Sequence, residues 1–206
     1  MKRIVNLLTL VLAFAALAGV AQADPLVFTA TIRGLNENPP NASPGTGSVI
    51  VTVDGNLMTV SATFSGLVPT TSTGAPSGVT AAHIHCCTSP TQNAGVATPV
   101  PTFPGFPSGV TSGTYSQTFD LSLASSYNPA FITARGGTVE SARAAFLAGL
   151  QNGQTYFNIH SNAFPGGEIR GQLQPVPEPA TLVLLGTGLA GIALRRRNRR
   201  AKRLET

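Results

Sequence analysis

The feature that most constrains the fold is a strand–turn–strand segment over residues 156–173. Polar and apolar side chains alternate through Tyr156-Phe157-Asn158-Ile159-His160, which is the period of a half-buried strand. Pro165-Gly166-Gly167 predicts a turn, because proline presets φ and glycine supplies positive φ. The alternation resumes from Glu168 to Leu173. The segment therefore predicts two strands joined by a turn, each with a polar and an apolar face.

Shorter pieces of the same pattern recur along the chain. Alternating or β-branched runs predict five further strands, at residues 26–33, 48–53, 57–64, 79–85 and 114–121. Asp54-Gly55-Asn56 separates the second and third of these and is a strong hairpin signal. Residues 86–113 carry five prolines, which is too many for a central strand. This part predicts a long ordered loop with room for one short edge strand.

One helix is predicted in the body of the chain, over about residues 138–150. Val139, Ala142, Phe146 and Leu150 form an apolar stripe, and Asn152-Gly153 supplies a stop signal. Short strands with one late helix predict a mainly β fold, either an antiparallel β-sandwich or a Greek-key barrel. Apolar segments at the two chain ends predict an N-terminal and a C-terminal hydrophobic helix.

The net charge of +5 is misleading, because the basic residues gather at the chain ends. Between residues 24 and 176, four basic side chains are outnumbered by six acidic ones. The body thus has no basic patch that could follow a phosphate backbone, which argues against nucleic-acid binding.

The amino terminus predicts export. Lys2-Arg3 forms a basic start, Ile4 to Val20 is almost wholly apolar, and Ala21-Gln22-Ala23 is a small-x-small cleavage pattern. We expect signal peptidase to cleave after Ala23, so that residues 1–23 are a signal peptide. A retained membrane anchor is the alternative.

The carboxyl terminus combines Pro177-Glu178-Pro179, an apolar run over residues 180–194 and an arginine-rich end. The run has 15 residues, short of the ~20 that span a bilayer comfortably. This layout resembles the PEP-type sorting signal of Gram-negative bacteria. The resemblance implies that residues 177–206 are a sorting tail, held transiently in the inner membrane until an exosortase-type transpeptidase acts at Pro177, Glu178 and Pro179. It also implies delivery to the outer surface or the extracellular matrix, whereas a permanent anchor is the alternative.

Residues 24–176 then form a single predicted domain. Its motifs are Leu35-Asn36-Glu37-Asn38-Pro39-Pro40, Phe64-Ser65-Gly66-Leu67, Ala82-His83-Ile84-His85, and residues 156–160 with 166–173. In this order and spacing they resemble the chordin-type (CHRD) domain family from about Phe28 to Leu173. The resemblance implies a β-rich extracellular module without a general enzymatic activity.

The only three histidines of the chain are the strongest candidate ligands. His83 and His85 are spaced so that a strand aims both imidazoles to one side, and His160 lies on another predicted strand. Together they predict a site for one transition metal, copper or zinc, with three nitrogen ligands. The alternative is that the histidines hold two strands together through hydrogen bonds to the backbone.

Further polar residues are structural or binding candidates. Glu168 and Arg170 share a strand face and could pair with each other or with Glu37, as a structural ion pair. Cys86 and Cys87 are adjacent in a chain bound for an oxidising compartment. They could form a vicinal disulfide, an intermolecular bridge, or thiolate ligands beside His83 and His85.

No catalytic motif is present, since the sequence has neither a Gly-x-Ser-x-Gly elbow nor a glycine-rich phosphate loop ending in lysine. The sequence therefore favours a non-enzymatic, exported surface or matrix protein that binds extracellular polysaccharide or other surface proteins. The alternative is a secreted mononuclear metalloprotein that uses His83, His85 and His160.

Overall fold

Eight strands form one curled antiparallel sheet in the computed structural model, which describes residues 24–69, 78–90, 92–177, 186–193 and 195. The strands are β1 (Leu26–Arg33), β2 (Thr46–Asp54), β3 (Leu57–Ser65), β4 (Val79–Cys86), β5 (Gly113–Asp120), β6 (Thr155–Ser161), β7 (Ile169–Gln172) and β8 (Gln174–Pro175). Their order across the sheet is β4-β6-β7-β1-β2-β3-β5, and the short β8 also pairs with β1.

Local pairing produces one half of this sheet. β1 pairs with β2 from Leu26↔Val53 to Arg33↔Thr46, and β2 pairs with β3 through the predicted Asp54-Gly55-Asn56 turn. Gly55 adopts a φ of 58°, a conformation that suits glycine. The other half depends on distant pairing, because β4 lies beside β6 and β7 reaches β1 only at Arg33↔Arg170.

The core lies against one face of the sheet, where every second residue is apolar. On β4, β6 and β7 this face carries fully buried side chains, namely Ala82, Ile84, Phe157, Ile159 and Ile169. Burying an aliphatic or aromatic side chain of this size stabilises a fold by about 1.5–3 kcal/mol. The opposite, polar face of the same three strands carries the histidines.

Two helices connect β5 to β6. The first, α1 (Pro129–Ala134), begins at Asn128, whose side chain accepts a hydrogen bond from the Ala130 N–H. The second, α2 (Val139–Gln151), begins at Thr138, which forms a capping box with Ser141. Ala142, Phe146 and Leu150 are the buried apolar side chains of α2, as the predicted stripe requires.

These observations confirm a mainly β, antiparallel fold and refine its architecture. All strands belong to one hydrogen-bonded sheet curled into a half-barrel, so the strands do not separate into the two sheets of a sandwich. The helix expected over residues 138–150 is α2. The expectation of a single inserted helix was wrong. The additional helix, α1, has only six residues, which is too short for an apolar periodicity to be recognised in the sequence.

The chain divides into two units, Met1–Pro175 and Val176–Thr206. The expected N-terminal hydrophobic helix falls on residues 1–23, which lie outside the described residues. In the second unit, residues 186–193 are helical. Within the described part of the chain, no helix combines the length and apolar character that crossing a membrane requires.

Candidate metal centre

The three histidines come from two neighbouring strands. His83 and His85 lie on β4 and His160 on β6, with Ala81 opposite His160 and His85 opposite Tyr156. Residues two apart on a strand share a face, so all three side chains stand on the polar face of the sheet. The alternation that placed them there is the same one that buries Ala82 and Ile84 in the core.

The three imidazole rings surround a common point. Their centroids are 5.9 Å apart for His83 and His85, 5.5 Å for His83 and His160, and 6.0 Å for His85 and His160. Each ring offers one nitrogen, and these three nitrogens all lie within 4.8 Å of one another. His83 is only 6% exposed and His85 8%, whereas His160 is half-buried.

Each imidazole is oriented by one backbone carbonyl. His83 Nε2 lies 2.7 Å from the Pro101 carbonyl oxygen, His85 Nδ1 lies 2.8 Å from that of Ala94, and His160 Nδ1 lies 2.9 Å from that of Pro165. A carbonyl oxygen only accepts hydrogen bonds, so in each ring this nitrogen carries the proton.

The second nitrogen of each ring is buried and has no hydrogen-bond partner in the described part of the chain. These atoms are His83 Nδ1, His85 Nε2 and His160 Nε2. In a neutral imidazole the unprotonated nitrogen carries the lone pair that binds a metal ion. The three histidines therefore show the arrangement of metal ligands whose other N–H is held by a backbone carbonyl.

Burial keeps the histidines neutral. Loss of water around the ring lowers the pKa of all three, and the pKa of His85 falls to about 4. The carbonyl hydrogen bonds oppose this effect and the neighbouring imidazoles add to it for His83 and His85. At neutral pH the site thus presents uncharged imidazoles, which is the form that binds a metal ion.

The loop after β4 covers the histidines. It supplies the Ala94 and Pro101 carbonyls, and the isolated bridge His85↔Val96 holds it against the edge strand. The irregular segment expected over residues 86–113 therefore contacts the polar face through its Ala94 and Pro101 carbonyls, while its Phe103 and Phe106 side chains belong to the hydrophobic core. The contacts on the polar face help to bury His83 and His85.

Tyr156 and Arg170 form a stack beside His85. The Tyr156 ring lies parallel to the His85 ring with centroids 4.7 Å apart, and the Arg170 guanidinium carbon lies 4.2 Å from the Tyr156 centroid. The Ala94 N–H donates to the Tyr156 hydroxyl oxygen at 3.1 Å. The stack fixes the His85 ring from its side, and Tyr156 was not among the site residues that we predicted. Its place on the same strand face as His160 was the available signal.

Glu37 lies buried against β6 and the turn before β7. Its Oε2 accepts a hydrogen bond from Asn158 Nδ2 at 3.3 Å, while its Oε1 has no partner. A side chain at Gly167 would meet this carboxylate, because a Cβ there would lie 2.9 Å from both oxygens. Burial raises the pKa of Glu37 to about 7, although the Arg170 charge and the Asn158 amide lower it.

The expected ion pair among Glu37, Glu168 and Arg170 is not formed. Glu168 is fully buried, and its Oε1 accepts from the Ser43 hydroxyl at 2.7 Å and from the Val68 N–H at 2.6 Å. It therefore ties two loops together. Arg170 instead donates to Asn93 Oδ1 at 2.7 Å and to the Pro90 carbonyl at 3.2 Å.

Cys86 and Cys87 form a vicinal disulfide at the end of β4. Of the three alternatives left by the sequence, the structure thus has the intramolecular bridge, and the histidine cluster contains no thiolate ligand. The two sulfur atoms pack against α2 at Gly149. A Cβ at that position would lie 2.6 Å from Cys86 Sγ and 2.7 Å from Cys87 Sγ, so the close approach requires glycine.

The predicted processing sites fall mostly outside the described residues. Ala23, Glu178 and Pro179 are not described, and Pro177 is the last described residue before a gap. The cleavage positions at both ends of the chain therefore stay predictions.

Comparison with known proteins identifies two regions of the chain. A family model described as the CHRD domain matches residues 28–173, and one described as the PEP-CTERM protein-sorting motif matches residues 175–197. No curated protein and no solved structure matches the chain. The first match covers β2 to β7, nearly all of β1, both helices and the three histidines, and it ends just before β8.

Proposed function

From the premise that this chain belongs to the CHRD domain family and carries a PEP-CTERM sorting motif, we propose that it is an exported surface protein that binds one transition-metal ion. The sorting motif implies export to the cell surface of a Gram-negative bacterium and processing by exosortase-type machinery. His83, His85 and His160 are the proposed ligands, and copper or zinc is the proposed metal.

The observation that carries this proposal is the set of three buried ring nitrogens without partners. Leaving one buried acceptor without a hydrogen bond costs about 1–3 kcal/mol, so three in one cluster of side chains are a substantial penalty. A purely structural role explains only one nitrogen of each ring, the one that donates to a carbonyl. A single metal ion would satisfy the other three together.

The donor set favours copper or zinc. Three neutral imidazoles suit both ions, and the chain supplies no fourth ligand to the cluster from the described residues. An open fourth position is typical of a site that also binds water or an exogenous group. Metal–nitrogen bonds of about 2.0–2.1 Å put tetrahedral ligand nitrogens about 3.4 Å apart. The three nitrogens, which all lie within 4.8 Å of one another, would therefore move closer together when a metal ion binds.

Thermal unfolding of the exported protein, first stripped with chelator and then titrated with Zn²⁺ or Cu²⁺, tests the proposal. At a free metal concentration of a thousand times Kd, binding to the folded state adds about 4 kcal/mol of stability. For a chain of this size each kcal/mol raises Tm by about 2–4 °C, so we expect an increase of about 8–16 °C.

A pair of variants separates ligands from scaffold. His160→Gln removes one ligand nitrogen and is expected to abolish most of the metal-dependent increase in Tm. Tyr156→Phe removes the hydroxyl that contacts Ala94, leaves all three imidazoles in place, and should keep the increase. If Zn²⁺ and Cu²⁺ leave the Tm of folded wild-type protein unchanged, or if His160→Gln responds as the wild type does, the proposal is wrong.

A further inference from the structure

Two arginines lie directly opposite each other on the paired strands β1 and β7. Arg33 at the end of β1 is the direct register partner of Arg170 on β7. Directly opposed residues of an antiparallel pair have Cα atoms about 4.5–5.5 Å apart, and like charges in this position are destabilising. Half of the four basic side chains between residues 24 and 176 are therefore placed where they repel each other.

No acidic side chain in the described part of the chain forms an ion pair with either arginine. Arg170 donates to Asn93 and to carbonyls of the loop after β4. Arg33 is exposed, and its side chain has no partner among the residues that the structure describes. Glu37 acts on Arg170 through its charge, but burial raises the pKa of Glu37 to about 7, so near neutral pH it is only partly ionised.

A cleft of about 360 Å³ opens between the two arginines. Its walls are Thr31, Arg33, Asn36, Pro90, Arg170 and Gln172. The volume is within the range of small-molecule sites, which starts at about 300 Å³. The lining combines two guanidinium groups with a hydroxyl and two amides, and it includes neither a carboxylate nor an aromatic ring. This chemistry suits a ligand that is negatively charged at one point and carries hydroxyl groups elsewhere.

We propose that the cleft between Arg33 and Arg170 binds the carboxylate of a hydroxylated acid of the sugar-acid class, either free or as a unit of an acidic polysaccharide. The exposed Arg33 supplies the planar guanidinium fork, which matches a carboxylate and forms two parallel hydrogen bonds with it. Arg170 is 3% exposed and already donates to Asn93 and Pro90, so it contributes its charge from the wall of the cleft. A bound carboxylate also neutralises the repulsion between the two arginines. The Asn36 and Gln172 amide nitrogens already donate to the Thr31 and Gly153 carbonyls, so their amide oxygens and the Thr31 hydroxyl are the groups that would contact hydroxyl groups of the same ligand. This site is separate from the histidine cluster and does not depend on the metal.

Calorimetric titration of the exported protein with galacturonate tests the proposal, and galactose is the uncharged control. The measurement is made with and without chelator, so that its outcome is independent of metal binding. Galacturonate is expected to bind with a Kd on the order of 1 mM or lower, and galactose at least tenfold more weakly. Polygalacturonate and neutral dextran then separate the two sources: tighter binding of the charged polymer indicates a polysaccharide, and binding of the monomer alone indicates a free acid.

Variants of Arg33 give the decisive test, because the Arg33 side chain is exposed and forms no hydrogen bond or ion pair with a described residue. Arg33→Gln should weaken galacturonate binding at least tenfold, and Arg33→Lys should fall between, since lysine keeps the charge but loses the fork. Arg143→Gln is the matched control. It removes the same charge from a side chain that contacts the Gly55 carbonyl, near the opposite end of β1 and about 24 Å from Arg33. This change should leave galacturonate binding unchanged. Equal binding of galactose, no binding of galacturonate, or unchanged binding by Arg33→Gln would each overturn the proposal.

Discussion

Replacement of the buried carboxyl of Glu37 by an amide gives the most quantitative test of the electrostatics around the sheet. The Glu37 carboxyl is held by Asn158, lies against Gly167, and feels the charge of Arg170. Burial nevertheless dominates and raises its pKa from 4.5 to about 7. Glu37→Gln keeps the shape of the side chain and removes its titration.

The sign and size of the effect follow from the two pKa values. Between pH 4.5 and 7 the folded state holds the Glu37 proton more tightly than the unfolded state does, so this carboxyl contributes stability at low pH and loses it as the pH rises through 7. A shift of about 2.5 pKa units corresponds to about 3 kcal/mol. Glutamine does not titrate, so the Glu37→Gln variant does not lose this stability as the pH rises. The stability of Glu37→Gln relative to wild type should therefore increase by about 3 kcal/mol between pH 4.5 and pH 8.

Urea unfolding of both proteins over this pH range, with chelator present, measures the difference directly. Glu140→Gln is the control, since it removes the same charge from the exposed first turn of α2. The chelator and the common background cancel any contribution of the histidines. A difference between Glu37→Gln and wild type that is independent of pH, or that turns against the variant as the pH rises, would refute the assigned role of burial.

Two further predictions concern packing and are read by urea unfolding. Gly149→Ala should destabilise the protein by about 1–3 kcal/mol, because the added methyl group would collide with both disulfide sulfurs. Gly166→Ala is the control: a Cβ at this position has no neighbour within 4 Å among the described residues, so stability should change by less than about 0.5 kcal/mol. A neutral Gly149→Ala would show that the helix is free to move away from the disulfide. Phe157→Ala should cost about 3–5 kcal/mol, since this ring is fully buried, and Leu35→Ala, at a residue 71% exposed, should be nearly neutral. Similar losses of stability in Phe157→Ala and Leu35→Ala would show that the Phe157 ring is not part of the core.

Much of the fold could be predicted because its signals are local. The alternation over residues 57–64 and the Asp-Gly turn before it specify the β2–β3 hairpin within a short stretch of chain, and β3 runs from Leu57 to Ser65. The order of distant strands leaves no such signal. Nothing in the sequence of β1 indicates that Arg33 pairs with Arg170, since that register is set by the curl of the complete sheet.

The candidate metal centre divides in the same way. The shared face of His83 and His85 follows from strand periodicity, and the structure adds that His160 reaches the same point. The carbonyls of Ala94 and Pro101 could not be predicted, because the loop that carries them has no periodic pattern. The expected pairing of Glu168 was wrong for a related reason: its partner is the backbone of a loop, and loop contacts of this kind depend on tertiary packing.

Metal analysis of the exported protein is the most direct test of the central claim. The protein is expressed as the full-length chain, carries no affinity histidines, and is purified without chelator. We predict close to one equivalent of copper or zinc per chain, and loss of that metal in His83→Gln and in His160→Gln while both variants remain folded. A well-folded wild-type protein that contains only traces of transition metal, or variants that keep the full equivalent, would contradict the assignment of the three histidines as ligands.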